Sequence, residues 1–184
     1  YKHSHPIDGE EYAKLIDICK SSNWLLYTSL LAVTKICLSN YSGSSSVVTG
    51  SPIPNEHDND RLIPICSDCS DSDSFKDYLL KLKDILTDAY KYHALPLDAL
   101  LSESQATKGN LRAEDLFDTV VLLENIHPLG MRSSNKPLII SFNKKENTVE
   151  MSLVFQDFAL GSLYAERLCK HFDTVLKAVL DDMN

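Results

Sequence analysis

The chain has 184 residues, 43% of them apolar and 24% charged, an ordinary globular composition that rules out a disordered segment and suffices for one domain with a sizeable core. Its 26 acidic against 18 basic residues give a formal charge of −8, which argues against a nucleic-acid surface. The longest apolar stretch, Trp24 to Leu38, is interrupted by Thr28, Ser29, Thr34 and Lys35 and falls short of the roughly 20 apolar residues of a membrane span. Residues 1–6 lack the apolar run of a secretory signal, and five scattered cysteines predict reduced thiols in a cytoplasmic protein.

Residues 2–7 alternate loosely and end at Asp8, which with Glu11 three residues later predicts a capping box. Tyr12, Leu15, Ile16 and Cys19 then fall at i, i+3, i+4, i+7, one apolar stripe on a helix ending near Ser21 and Ser22. Asn23 is expected to cap a second helix from Trp24 to about Asn40. Leu25, Leu26, Leu30, Leu31, Ala32, Val33, Ile36 and Cys37 make that helix apolar nearly all round, the pattern of a helix buried between layers. Tyr41, Ser42 and Gly43 read as a turn, and residues 46–50 as a short buried strand.

Residues 51–60 (SPIPNEHDND) form a polar, proline-punctuated loop, and residues 61–66 resume a strand in which Pro64 predicts a sheet edge or a bulge. An acidic, serine-rich stretch over 67–73 runs into a third helix started by Ser74 and Asp77. Phe75, Leu79, Leu82, Leu86, Ala89 and His93 lie on it at helical spacing, and Pro96 ends it and allows a short helix over 97–101. After the polar residues 102–110, the run Thr119–Leu123 reads as a central strand. Residues 137–142 and 148–155 flank the turn 143–147 as a hairpin, with Val149, Met151, Leu153 and Phe155 on one face and Glu150, Ser152 and Gln156 on the other. A last helix is expected over 162–181, with Tyr164, Leu168, Phe172, Val175 and Val179 facing inward. Strands and helices interleave without a βαβ rhythm, which predicts an α+β fold, a mixed β-sheet with packed helices.

No motif in the chain is a self-sufficient active site. His3, His5 and Asp8 cluster within six residues, but on a segment that reads as an exposed strand feeding a helix. Cys66 and Cys69 form a CxxC without a second ligand pair at zinc spacing and without the helix that follows in a thioredoxin motif. Asp58 and Asp60, like Asp68, Asp71 and Asp73, read as solvated loops lacking EF-hand spacing. GxSxG, Walker, GxGxxG and HExxH signatures are absent, so no catalytic, cofactor-binding or metal-ligating residue is assigned.

Several segments, in order, resemble the C-terminal half of a condensation domain of nonribosomal peptide synthetases, of the chloramphenicol-acetyltransferase-like superfamily. Tyr27-Thr28-Ser29-Leu30-Leu31-Ala32 with Tyr41-Ser42-Gly43 is similar to the family's "LLA…L..Y.G" helix and turn, and Val47-Val48-Thr49-Gly50-Ser51-Pro52 to its "vvGtP" strand. Ala89 to Asp98 resembles "A..HQ..PFE" with Pro96 in register, and Leu116 to Asn125 resembles "PLFD….EN". The resemblance covers nearly the whole chain. It implies a single partial domain, residues 1–184, forming one half of a two-lobed fold.

The departures bear on activity. In the family, the second histidine of HHxxxDG, in the N-terminal lobe, handles the proton of the incoming amine. His3-Ser4-His5-Pro6-Ile7-Asp8-Gly9 has Ser4 at that position, and a hydroxyl is a poor base near neutral pH. A first-helix segment of the C-terminal lobe follows at once, so the likeness reads as accidental. Tyr92 replaces the family's His, Leu97 its Phe and Asp115 its Pro, and the bridging loop is reduced to residues 53–61. The resemblance thus implies a partial condensation domain without its own catalysis, serving as a structural platform for an adjoining adenylation domain or other synthetase domains. Two rivals are the C-terminal half of an active condensation domain, its acceptor channel near residues 46–51 and 119–125, and a docking module for a separate synthetase protein or tailoring enzyme. The candidate interface is Asn55, Asp58, Asp60, Tyr92, His93 and Leu97.

Overall fold

The computed structural model describes residues 1–54, 61–69, 74–95, 112–127 and 135–183. In chain order its elements are β1 (Lys2–Ile7), α1 (Gly9–Cys19), α2 (Asn23–Ser42), β2 (Ser46–Pro52), β3 (Leu62–Asp68), α3 (Phe75–Lys91), a 3-10 turn (Ala113–Leu116), β4 (Thr119–Leu123), β5 (Leu138–Lys144), β6 (Val149–Phe155) and α4 (Phe158–Asp182). The strands form one mixed sheet in the order β1-β6-β5-β4-β2-β3. β4 pairs in parallel with both β5 and β2, and the outer pairs are antiparallel. β4 therefore has neighbours on both sides, as its uninterrupted apolar run requires.

Both sheet edges carry a proline, Pro6 on β1 and Pro64 on β3, the residue that cannot extend a ladder because it lacks an N–H. The β5–β6 hairpin runs two residues further into the expected turn, closing where Lys145 N–H donates to the Thr148 carbonyl (2.8 Å). On β6, Val149, Met151 and Leu153 are buried toward the helices while Ser152 faces the opposite side.

All four long helices lie over one face of the sheet. α4 covers β1 and β6, α2 crosses β4 and β2, α3 lies on β3, and α1 packs against α2 and α4. The continuous run Leu26 to Lys35 on α2 is buried, as the all-round apolar pattern predicts. Ser22, and not Asn23, is the N-cap: its Oγ accepts the Leu25 N–H (3.3 Å) and Asn23 becomes the first helical residue. Gly43 ends α2 at φ 66°, a left-handed conformation that favours glycine. The capping box expected at Asp8 does not form. Gly9 enters α1 at φ 60°, and Asp8 makes no side-chain cap. α3 starts on Ser74 as expected and ends at Lys91; the short helix expected over 97–101 lies outside the described residues.

α4 begins four residues earlier than the apolar pattern predicts, because Asp157 Oδ1 accepts the Leu160 N–H (2.9 Å) and caps it there. Its inward stripe is Ala165, Leu168, Cys169, Phe172, Leu176 and Leu180; Tyr164 stays largely exposed, and Val175 and Val179 are half-buried. Lys14 of α1 ties down the far end of α4, reaching Asp181 and Glu10 at 2.8 Å each.

A second apolar cluster occupies the opposite face of the sheet, formed by Leu62, Val120, Leu122, Ile139 and Phe117. Phe117 follows the 3-10 turn and packs on β2 at Gly50, where an added Cβ would come within 2.2 Å of the ring. Gly50→Ala is accordingly expected to destabilise the chain by about 1–3 kcal/mol through overpacking, measured as the shift in urea midpoint. Phe117→Ala should cost stability alone, yet the double variant should be more stable than the sum of the two losses predicts.

Candidate functional site

The parallel junction of β2 and β4 brings together the two segments that the half-enzyme reading assigns to an acceptor channel. What they build is a closed polar chain. Tyr27 on α2, Ser51 at the end of β2, Tyr90 near the end of α3 and His127 just beyond β4 meet beneath the helices. His127 Nδ1 accepts the Leu123 N–H at 2.9 Å, so the neutral ring carries its proton on Nε2 and donates to Tyr90 Oη (3.3 Å). Tyr90 then donates to Ser51 (2.5 Å), Ser51 to Tyr27 Oη (2.6 Å), and Tyr27 to the Val121 carbonyl (3.1 Å). The Ser51 hydroxyl also lies 3.3 Å from the Pro52 carbonyl, and every polar group of the chain has a partner, which is what a buried polar group needs. Tyr27 stacks edge-on against His127 at 4.5 Å, and Trp24 packs on Tyr90 at 5.4 Å.

Burial sets the protonation of these groups. It pushes the Tyr27 hydroxyl up to about 12 and Tyr90 well above the ordinary phenol value, so both stay neutral. It lowers His127 to about 4, against a small opposing effect of the Leu123 backbone. An imidazole held that low, with both nitrogens already bonded, is a structural strut and not an available base at neutral pH.

A second buried polar group braces the other end of the same layer. Lys35 of α2 is fully buried and donates to the carbonyls of Val47 (2.6 Å) and Ile65 (2.8 Å), joining β2 to β3 from the helix side. Burial lowers its ammonium to about 8, so it remains mostly charged at neutral pH.

The residues singled out from sequence fall as follows. Tyr92 caps α3, half exposed, with the Lys91 ammonium 5.0 Å from its ring centre, and His93 Nδ1 lies 2.6 Å from the Tyr90 carbonyl. Arg61 Nη2 donates to the Leu95 carbonyl (2.8 Å), so the turn holding Tyr92 and His93 lies beside the start of β3. Asn55, Asp58, Asp60 and Leu97, and likewise Asp71 and Asp73, lie outside the described residues.

His3, Ser4 and His5 are in β1, paired residue for residue with β6. His5 Nε2 is bound to Asp173 of α4 (2.9 Å), while Ser4 points to the other face and meets Ser152 (3.4 Å). Cys66 is exposed, Cys69 is half-buried against the Tyr78 hydroxyl (3.2 Å), and all five cysteines are free thiols. Among the described residues no three His, Cys, Asp or Glu side chains gather as metal ligands, and no helix is long and apolar enough to cross a membrane. Sequence reading missed His127: its partners are a backbone N–H and a tyrosine 37 positions away, and neither leaves a local pattern.

Because His127 takes up a proton in the unfolded chain near its ordinary value of 6.5 but in the folded chain only near 4, its contribution is fully present above pH 6.5 and is lost as pH falls toward 4. The stability lost over that window is expected to be ~3 kcal/mol, read from urea midpoints at successive pH values. His127→Gln should be less stable at pH 7 and show a flatter profile between those limits.

The Condensation domain family model matches residues 2–184. Gramicidin S synthase 2 of Brevibacillus brevis is 26% identical over 189 residues, covering 90% of this chain and 4% of that protein. The X-domain of teicoplanin biosynthesis, in its complex with OxyB, superposes with a TM-score of 0.71 at 17% identity, covering 96% of this chain and 45% of its own. A four-domain nonribosomal peptide synthetase bound to AMP and glycine gives 0.73 at 11% identity, with 98% of this chain covered and 17% of that one. The chain thus spans a small part of its curated relatives and under half of the X-domain. An unbroken family match, a mixed six-stranded sheet covered by helices, and the superposition of that sheet on these structures together mean that this chain belongs to the condensation domain family of nonribosomal peptide synthetases.

Proposed function

We propose that this chain is a partial condensation domain, a single C-terminal lobe over residues 1–184, that performs no condensation of its own. It serves as a structural or interaction platform beside an adenylation domain in a cytoplasmic synthetase. The observation that carries this reading is the fate of the segment HSHPIDG. It is an ordinary edge strand: Ser4 is bonded to Ser152 inside a continuous antiparallel ladder and His5 is committed to Asp173, so the chance likeness to the family's motif supplies no base for an incoming amine. Two further histidines support it too. His93 and His127 each hold a bond to a neighbouring backbone group.

The platform is the sheet face opposite the helices. Across four strands it carries Leu122, Ser141, Ser152 and Ser4 in register, next to the apolar cluster around Phe117; Ser4 on the edge strand is exposed, whereas the other three and the cluster are buried. The exposed part of that side is its β1 edge, where Lys2, Ser4 and Pro6 are open to solvent and can meet a neighbour. The turn bearing Tyr92 and His93, with the loop residues Asn55, Asp58 and Asp60 and with Leu97, is the proposed rim of contact. A second reading, a docking module for a separate tailoring enzyme, is favoured by the teicoplanin X-domain having been solved in complex with OxyB.

Deleting residues 1–184 from the native synthetase tests these readings, with peptide-bond formation, adenylation and soluble yield followed in parallel. Unchanged condensation and adenylation with lower soluble yield is the expected outcome. Lost condensation with intact adenylation would establish the half-enzyme reading instead. A pull-down by the chain, with and without the adenylation domain, separates a partner in cis from one in trans.

A further inference from the structure

The geometry points to a binding site for a small carboxylic acid, with an apolar group and no free ammonium, in the cavity between the end of α2 and the middle of α4. The cavity has a volume of about 330 Å³ and is lined by Cys37, Asn40 and Tyr41 of α2 and by Arg167, His171 and Thr174 of α4. That volume falls at the small end of pockets that hold organic ligands. It lies at the opposite end of α2 from the Tyr27 chain and on the helical layer, away from the sheet face assigned to the platform.

The lining sorts by chemistry. Arg167, His171 and Thr174 recur at i, i+4 and i+7 and so form one stripe on α4. Tyr41 closes one wall, its hydroxyl 2.6 Å from His171 Nδ1 and its ring 5.4 Å from the imidazole centre, which leaves Nε2 as the ring nitrogen facing a ligand. The Arg167 guanidinium, the Asn40 amide and Nε2 are the donors. Cys37 is buried, and its thiol is pushed up to about 12 by burial, so with Val175 it acts as apolar floor.

Among the described residues no carboxylate lines the cavity, and Asp173 on the same helix is turned away to His5. A planar carboxylate matches the Arg167 fork, whereas a free α-ammonium placed beside it would find no counter-charge. In a chain of formal charge −8, a cationic cavity of this kind is a local exception that draws anions. The ligand class is therefore an aryl or acyl acid, or an N-acylated amino acid.

The test is an NMR titration of the full 184-residue chain with N-acetylleucine. Matched titrations use N-acetylleucine amide, free leucine and inorganic phosphate. Saturable shifts at Tyr41, His171 and Thr174 are expected with N-acetylleucine, and binding should weaken by about tenfold or more for the amide and for Arg167→Gln. Arg167 is exposed on the helix surface, and an unchanged spectrum elsewhere shows that this variant folds. Absence of saturation, or binding indifferent to Arg167, overturns the site. Equal binding of leucine overturns the exclusion of an ammonium, and phosphate binding as tightly as the acid reduces the cavity to a general anion site.

Discussion

A helix with no side open to water governs this fold. From Leu26 to Lys35 every residue of α2 is buried, between the sheet on one side and α1, α3 and α4 around the rest. Its apolar residues supply the centre of the core, but its polar ones have no solvent to turn to. Each must find a partner inside, because a buried unpaired hydroxyl or ammonium costs more than the hydrogen bond it gives up. Thr28 and Thr34 fold back on the carbonyls of Trp24 and Leu30, and Ser29 meets the Cys19 thiol. Tyr27 and Lys35 reach outward, and their reach determines how the layer is assembled. Lys35 holds the carbonyls of β2 and β3 at one end, and Tyr27 starts the chain through Ser51, Tyr90 and His127 at the other.

The same requirement shapes the sheet. Ser51 is the residue at which β2, running parallel to β4, comes under the first turns of α2, so the strand junction and the helix bond to one another through side chains as well as packing. One residue earlier, Gly50 faces the opposite side and admits the Phe117 ring against the backbone. Two consecutive residues thus serve the two faces of one sheet, the alternation that a strand enforces. At Ser51 the helix-side face is met by hydrogen bonds, and at Gly50 the other is met by close apolar approach.

Catalytic and structural uses of the same residue types separate on this structure by what their atoms already hold. A general base must keep a lone pair free for substrate and titrate near the working pH. His127 has both nitrogens bonded and titrates near 4, and His5 is paired with Asp173 within an edge strand. His171 differs, since its Nδ1 holds Tyr41 and the residue lines a cavity together with Arg167. The proposed ligand site thus lies on the helical layer, and the features proposed for contact lie on the sheet.

Much of the architecture was legible from pattern. The all-round apolarity of α2, the alternation in β6, the unbroken run of β4 and the edge position of Pro64 follow from rules that act within a few residues, and order along the chain carried the family resemblance. Boundaries were less legible. α4 starts at Asp157 because of a cap, while the exposed Phe158, Leu160 and Leu163 blur the stripe that would mark it. Ser22 displaced Asn23 as a cap because both residue types serve there and only backbone geometry chooses between them. Strand order, the Tyr27–Ser51–Tyr90–His127 chain, the partners of Lys35 and the Tyr41–His171 cavity were decided by the tertiary structure alone. They join residues from 12 to 130 positions apart, often through backbone carbonyls or amides that every residue possesses. The sequence by itself determined which segments had to be buried and in what periodicity, because hydrophobic patterning is local; which buried polar groups would meet was determined only when the fold brought them together.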